Sequence, residues 1–528
     1  MSLVTINMSI RLFFKIILLS ILGACSDNQE IFLPDYNEID YLIKNGKIVD
    51  GTGNEAFFSD LVIVEDEIVF IGDTRFSETD KQNRIENIIH ADGRVVTPGF
   101  IDLHSHGDPL KYPSMPNFLA MGVTTITLGQ DGASPETHPL SSWIDKVEKR
   151  GIGPNLAMFV GHGTLRNLSG IRTDKNPDPE EINGMLSMLD ETLKYTFGLS
   201  TGLEYSPGLN AESEELKEIA KVVGKNNRLI MSHMRNEDDD ELEGSISELL
   251  EQGEYAKIHI SHLKAVYGKG AKRADEILSI LDSARRNGID VTAEVYPYTA
   301  SYTGIGIVFP VWSKTPEQFQ EAKLNRRDEL ANYLRNRVNR RNGPEATLLG
   351  TPPYTGRTLA SIAHEKEINF EDLLIDEIGP NGASGAYFVM NDELQNRLLT
   401  DPYVGVCSDG SISGFHPRGH GTFAKIIEKY VVKEKLLTLE EAVRKMTSFS
   451  ANILGINDRG TLGVGMKADI NIFEPNNVRA LATYPNPFVL AEGFDIVLVN
   501  GKKAWQDQNQ SQQLWGRVLR PEKVQDKP

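Results

Sequence analysis

Cysteine is nearly absent from this chain: its 528 residues include two, Cys25 and Cys407. Two thiols exclude a disulfide framework, so stability must come from a packed core. Nor does the chain carry a hydrophobic run fit for a mature transmembrane helix where its N-terminus turns apolar. The stretch at 16–24 is too short to cross a bilayer. Positive charge is scarce as well, with 55 Lys and Arg against 74 Asp and Glu and a formal net charge of −19. Such an acidic surface disfavours nucleic acid and anionic membrane surfaces as partners.

What is present is ordinary globular material, 40% apolar and 24% charged, long enough for a full barrel and a second domain. From 41 to 96 the pattern is short β-rich runs broken by Asn-Gly, Gly-Thr-Gly and Gly-Asp turns, with no helix-period segment between them. The same style returns in Ala468-Asp-Ile-Asn-Ile-Phe473 and Phe494-Asp-Ile-Val-Leu-Val-Asn-Gly501. Two β-rich ends flanking a long middle predict one small β-sandwich assembled from 38–97 and 461–515.

The middle, 98–460, alternates short apolar strands with amphipathic helices, the pattern of βα units around a parallel sheet. Strand ends are expected near His106, Leu128, Val160, Leu203, His233, His262, Tyr296 and Asp409. Eight strands predict an α/β fold of the (β/α)₈ TIM-barrel type, with the active site at the C-terminal strand ends. The stretch at about 303–386 breaks this period and reads as an insertion after strand seven, placed to shape the substrate entrance.

Residues with metal-binding chemistry recur at those strand ends. His104 and His106 close the run Val95-Val-Thr-Pro-Gly-Phe-Ile-Asp-Leu-His-Ser-His106, and a strand's period of two aims both imidazoles the same way. Alone, a His-x-His is as readily a structural or surface pair; converging with ligands from other strands, it is half of a divalent metal site. Ser232-His-Met-Arg235 follows the apolar Leu229-Ile-Met231, and Ser261-His-Leu-Lys264 follows Ile258-His-Ile260. In each, the histidine and the basic residue two places on share a strand face. His259, three residues before His262, is expected to point the other way and pack. Val404-Gly-Val-Cys-Ser-Asp409-Gly places an acid on the last strand end, with Cys407 below it as a buried, inert thiol.

The N-terminus resembles a bacterial lipoprotein signal: Arg11 and Lys15, the apolar run, then Leu22-Gly-Ala-Cys25. The resemblance implies cleavage after residue 24, a lipid on Cys25 and a polar tether at 25–37. An uncleaved anchor, a chance apolar start, or a true start at Met8 are the alternatives. Residues 1–24 carry two positive charges and no acidic ones, so the mature net charge goes from −19 to about −21. Membrane attachment would then come through the lipid, at the periplasmic side of the outer membrane or at the cell surface. Ser26-Asp-Asn-Gln-Glu30 is similar to the acidic export signals of some surface lipoproteins.

Two histidines from strand one, one each from strands five and six, and an aspartate from strand eight form the ligand set of the amidohydrolase superfamily. Within it, Gly161-His-Gly-Thr-Leu-Arg166, Gly198-Leu-Ser-Thr-Gly-Leu-Glu-Tyr-Ser-Pro-Gly208, Ser232-His-Met-Arg-Asn-Glu237, Val295-Tyr-Pro-Tyr-Thr-Ala300 and His416-Pro-Arg-Gly419 resemble the D-aminoacylases, the N-acyl-D-amino-acid deacylases. One departure stands out. Where those enzymes usually carry Gly-Asn-Cys-Gly with a cysteine ligand, this chain has Gly129-Gln-Asp131-Gly132. Asp131 is either a carboxylate ligand in that place or a turn residue, and Glu204 is the other candidate bridge. Whether one metal or two bind stays open. Oxygen in place of sulfur would weaken zinc retention and widen metal tolerance. Strand four has no lysine to carry a bridging carboxylate of the hydantoinase kind, since Lys194 lies upstream.

The resemblance implies a zinc-dependent hydrolase of linear amides, with His104, His106, His233, His262, Asp131 and Asp409 at the metal and Asp409 as proton shuttle. Arg418 and Lys264 would receive the carboxylate of the small-molecule substrate, helped by Tyr205 and Tyr298. His162 and Arg166 either line the acyl side or pack the strand-three loop. His90, His138, His364 and His420 lack strand-end context and read as surface or packing residues. D-specificity follows from the resemblance alone. The alternatives are a dipeptidase of the same superfamily acting on D-amino-acid-containing peptides, which needs an acid near its acyl pocket, and a lipid-anchored binding protein that has lost catalysis.

Overall fold

The short apolar runs of the middle segment pair side by side in parallel. In the computed structural model, which describes residues 38–75 and 85–522, these are β1 (Phe100–Asp102), β2 (Val123–Leu128), β3 (Asn155–Gly161), β4 (Gly198–Gly202), β5 (Leu229–His233), β6 (Lys257–Ile260), β7 (Val291–Val295) and β8 (Val404–Val406). They lie in sequence order across one eight-stranded sheet. Beyond its last paired strand the sheet closes on its first: Ser105 bridges Gly410, and the Asp409 and His106 N–H groups donate to the His104 and Gly410 carbonyls at 2.8 Å each. Cys25, the preceding signal and the whole tether at 25–37 lie outside the described residues. Among the described residues no helix is long and apolar enough to cross a membrane.

Both faces of these strands are buried, which is why they read as nearly unbroken apolar runs. Leu199, Ile230, Ile258, Ile260 and Val295 pack outward in the cluster that includes the surrounding helices. Leu103, Phe159, Leu229, Met231 and Cys407 fill the interior. Cys407 is thus fully buried inside the barrel, and burial pushes its thiol well above the usual range.

The two β-rich ends join in one nine-stranded sheet, through antiparallel pairing of Val95–Pro98 with Ile470–Phe473. The expected sandwich is this single sheet curled back on itself, since the Ala468 N–H reaches the Asp66 carbonyl at 2.7 Å and Ile68 the Met466 carbonyl at 2.9 Å. Ile43, Ile63, Ile68, Ile470 and Leu498 fill the curl. The sheet meets the barrel at Gly122, whose carbonyl accepts from Asn471 at 2.8 Å; at φ +77 a Cβ there would stand 2.8 Å from Asn471 and Phe494.

Between β7 and β8 the chain leaves the barrel to build a four-stranded antiparallel sheet from Ser301–Gly304, Thr347–Leu349, Arg357–Thr358 and Ser384–Tyr387. Helices Pro316–Asn325, Arg327–Arg340 and Leu359–Glu365 cover it. Ile305, Leu330, Leu334, Ile362 and Leu373 give this excursion a hydrophobic core of its own.

Candidate metal centre

His104 and His106, just past β1, bring their rings to 5.1 Å of one another. The next loop delivers Asp131 between two positive-φ glycines, Gly129 and Gly132, and itself at φ 53. Only glycine fits at Gly132, because a Cβ would stand 2.8 Å from the Gly202 nitrogen. The result is a carboxylate set among four imidazoles. Asp131 Oδ1 is 3.4 Å from His104 Nε2, 3.3 Å from His262 Nε2 and 3.7 Å from His233 Nδ1, while Oδ2 is 3.4 Å from His106 Nε2. Burial works to raise this carboxyl, but the His104 charge and the hydrogen bonds of its neighbours hold it well below the usual range.

Asp409 completes the ring, with Oδ1 3.2 Å from His106 Nε2 and Oδ2 accepting from Arg418 Nη1 at 2.6 Å. Burial again opposes ionisation, and the Arg418 guanidinium first, then the imidazoles, keep the carboxylate ionised far below its ordinary pKa. Glu204 meets His233 Nε2 at 3.2 Å on the other side. One donor atom each from His104, Asp131, His262 and Asp409 lies within 4.8 Å of the other three, and His233, Glu237 and His262 form a second such group.

This donor set fits a divalent ion. Zinc bonds nitrogen and carboxylate oxygen at about 2.0–2.2 Å, which in a tetrahedron spaces the donors by about 3.3 Å. His233 Nδ1 and His262 Nε2 face each other at 3.1 Å, an approach that suits a cation between them. The outer partners are those that orient metal-binding imidazoles. His104 Nδ1 faces Glu294 Oε1 at 3.1 Å, and Glu294 Oε2 faces His259 Nε2 at 3.2 Å. Despite complete burial, these two imidazoles bring the Glu294 carboxyl down to about 2. His262 Nδ1 lies 3.2 Å from Glu237, which also accepts from Lys264 at 2.6 Å.

Several expectations are corrected. His259 does not point away from the site: β6 stops at Ile260 and His262 turns at φ 35, so the period of two breaks and His259 is buried where it shares Glu294 with His104. Tyr298 does not reach the cleft. The Tyr298 N–H donates to the Tyr296 carbonyl in a turn past β7, which sends its ring into the core with Lys425 3.9 Å above it. Tyr296 and Tyr302 line the cleft instead. Arg235 does not share the site with His233; it forks onto Glu248 and the Leu209 and Ala211 carbonyls. His162 and Arg166 both close on buried Glu215, His162 at 2.7 Å, and so pack the loop. His420 is likewise buried, and burial lowers its imidazole to about 4.

Glu237 and Glu294 are the functional groups that sequence reasoning missed. Glu294 had a signal: a lone acid in the apolar strand Val291–Val295 must find a buried partner.

The cluster separates two cavities. One of about 640 Å³ lies over β1–β4, walled by Leu110, Leu128, Trp143, Met158 and Pro207 among others, with Asp108 and Glu136 also in its wall and no lysine or arginine. The other, of about 320 Å³, lies over β5–β8 and the insertion, and its wall holds Lys264, Arg341 and Arg418. His106, Asp131 and Tyr205 belong to both. Tyr205 stands 4.5 Å ring to ring from His233, its hydroxyl 3.2 Å from Thr303 of the insertion.

Known proteins share this arrangement. Residues 334–503 match the model of the amidohydrolase family. An N-acyl-D-glutamate deacylase of Alcaligenes xylosoxydans xylosoxydans is 30% identical over 92% of this chain and 97% of its own length. A D-aminoacylase of the same organism is 29% identical over 92% and 98%. The crystal structure of an N-acyl-D-glutamate deacylase from Bordetella bronchiseptica, complexed with zinc and a phosphonate mimic of the tetrahedral intermediate, superposes with a TM-score of 0.78 at 28% identity, covering 92% of this chain and all of that one. With its barrel, its histidine cluster and these relatives, the chain belongs to the D-aminoacylase, or N-acyl-D-amino-acid deacylase, branch of the amidohydrolases.

Proposed function

We propose that the protein removes the acyl group from N-acyl-D-amino acids by metal-assisted hydrolysis of the amide. The observation that carries the reading is Asp131 in reach of all four imidazoles, at the seam between an uncompensated acidic cavity and a cationic one. In this reading His104, His106, His233, His262 and Asp131 hold zinc, with Glu204 on the His233 side as the alternative bridge if a second ion binds. Bound zinc supplies a water that ionises near pH 7, about 15.7 when free, and a Lewis acid for the carbonyl oxygen.

Asp409 is the proton shuttle. Ionised beside Arg418, it takes the proton of the attacking water as the carbon–oxygen bond forms, and returns it to the amide nitrogen as the carbon–nitrogen bond breaks. Arg418 and Lys264, each within hydrogen-bond distance of a cluster residue, receive the substrate's α-carboxylate. The amino-acid half therefore faces the cationic cavity and the acyl half the larger one. Tyr205, at the seam, closes against the substrate between them. The D hand rests on the relatives, since the geometry on its own carries no handedness.

The test is to load the form lacking residues 1–25 with zinc, count metal per chain, and assay matched N-acetyl-D- and N-acetyl-L-amino acids. Turnover of the L series alone would overturn the stereochemical part. Asp108 and Glu136 in the wall of the acyl-side cavity favour a second reading, hydrolysis of peptides whose free amine lies there; faster turnover of D-dipeptides than of N-acetyl-D-amino acids would establish it. A lipid on Cys25, holding the enzyme at the bacterial envelope, completes the proposal. It predicts that the full chain partitions into detergent and that Cys25→Ser abolishes this.

A further inference from the structure

The two halves of the cleft differ in size as well as in charge. The amino-acid half is given about 320 Å³ and the acyl half about 640 Å³, a volume within the roughly 300–1,000 Å³ that buries a drug-sized molecule. An acetyl group would leave most of it to water.

Much of the side-chain surface around that spare room is apolar. Leu110 and Trp143 pack on the outer core of the barrel yet stay only half-buried, as do Pro135 and Pro207 in the same wall. Leu128 and Met158, also in this wall, belong to that core and are buried. The hydroxyls of the wall are engaged within the protein. Ser105 and Thr164 donate to the Thr127 and Ser134 carbonyls at 2.7 and 3.0 Å, and Ser134 Oγ accepts from the Gly161 N–H at 3.0 Å. Asp108 accepts from the Leu110 N–H and Glu136 from the Asn167 amide, both at 2.9 Å, and the two acids are exposed, where bulk water keeps them solvated. The cavity therefore starts at His106 and Asp131 and leads to leucine and indole surface that gains when an apolar group covers it.

We propose that this cavity receives an apolar acyl chain much longer than acetyl, so that amino acids carrying a medium-length or longer fatty acyl group are the substrate class. Leu110 and Trp143 are the residues that select the chain. The inference rests on the hydrolase reading above, which turns the acyl half towards this side.

The experiment compares kcat/KM for the N-acetyl, N-butanoyl, N-hexanoyl and N-octanoyl derivatives of one D-amino acid on the zinc-loaded enzyme. Burial of the chain predicts a gain of up to about fourfold per methylene. Octanoyl should then exceed acetyl by roughly ten- to a thousandfold, chiefly through a lower KM. Trp143→Ala and Leu110→Asn should each flatten this climb, whereas a part in folding alone would lower every substrate by one factor and leave the slope standing. Should Trp143→Ala fail to fold, Leu110→Asn carries the test. The ω-aminohexanoyl derivative should fall below hexanoyl; a preference for the amine would assign this end to Asp108 and Glu136 and overturn the proposal. Rates that are flat or falling from acetyl to octanoyl, or a slope untouched by both variants, overturn it too, and turnover of the acetyl substrate in those cases leaves the hydrolase reading intact. Inertness towards every N-acyl amino acid, short-chain and long-chain, of either hand, overturns both.

Discussion

On the β1–β4 side of the rim, His106 and Asp131 border a roomy cavity without a single lysine or arginine in its wall; on the β5–β8 side, His233, His262 and Asp409 border half that volume, walled by Lys264, Arg341 and Arg418. The ligand types match, and the surroundings differ in charge. A molecule with one anionic end is thereby oriented before any ion acts on it. The two strand-end motifs of the second half carry the same lesson at smaller scale. Ser232-His-Met-Arg235 and Ser261-His-Leu-Lys264 read alike, yet Arg235 is absorbed by Glu248 and loop carbonyls while Lys264 turns to His262.

The largest effect expected of any single change on the cationic side is at Asp409. Asp409→Asn should keep its metal and lose about 10²–10⁴-fold in kcat/KM, the scale of general acid–base catalysis; metal per chain measured beside turnover checks it, and substantial residual activity would break the assignment. On the other side Asp131→Ala should lower zinc retention by more than the roughly 10–100-fold that loss of an outer partner costs, and Asp131→Cys should raise it. Zinc remaining after dialysis against a chelator reads this without any assay of turnover.

Smaller effects separate the twin motifs. Lys264→Met should raise KM with the fold intact, on the order of tenfold or more, whereas Arg235→Met should lower Tm by a few degrees and leave KM near its starting value. Equal KM effects would erase the distinction between them. The smallest effect is at Glu215, away from the rim. Burial opposes its ionisation, but the His162 hydrogen bond and the Arg166 charge lower its pKa below the ordinary 4.5. Its contribution is therefore full above 4.5 and lost as pH falls through the lower folded value. The Tm difference between wild type and Glu215→Gln should shrink on going from about pH 7 to about pH 3.

The barrel and most of the cluster were legible because each strand is a short apolar run stopped by a side chain of unmistakable chemistry. His104, His106, His233, His262 and Asp409 announce themselves in that way, and Asp131 did so through its departure from a family pattern. What could not be read depends on how strands end. His259 and Tyr298 were misplaced because the period of two holds only inside a strand, and β6 and β7 end in turns that reset it. That both chain ends build one small β domain is legible in their composition, whereas the register that joins them, such as Val96 with Ile472, leaves no local trace in either segment. Glu237 was visible in its motif, but its task depends on Lys264 arriving from the next strand.

The excursion between β7 and β8 holds itself together with its own apolar interior, apart from the layers that fix the histidines. Mutations there can remodel what the mouth accepts without loosening the ion's grip below. Preference for one amino acid over another could therefore drift or be engineered as a cassette, while the hydrolytic machinery is inherited unchanged.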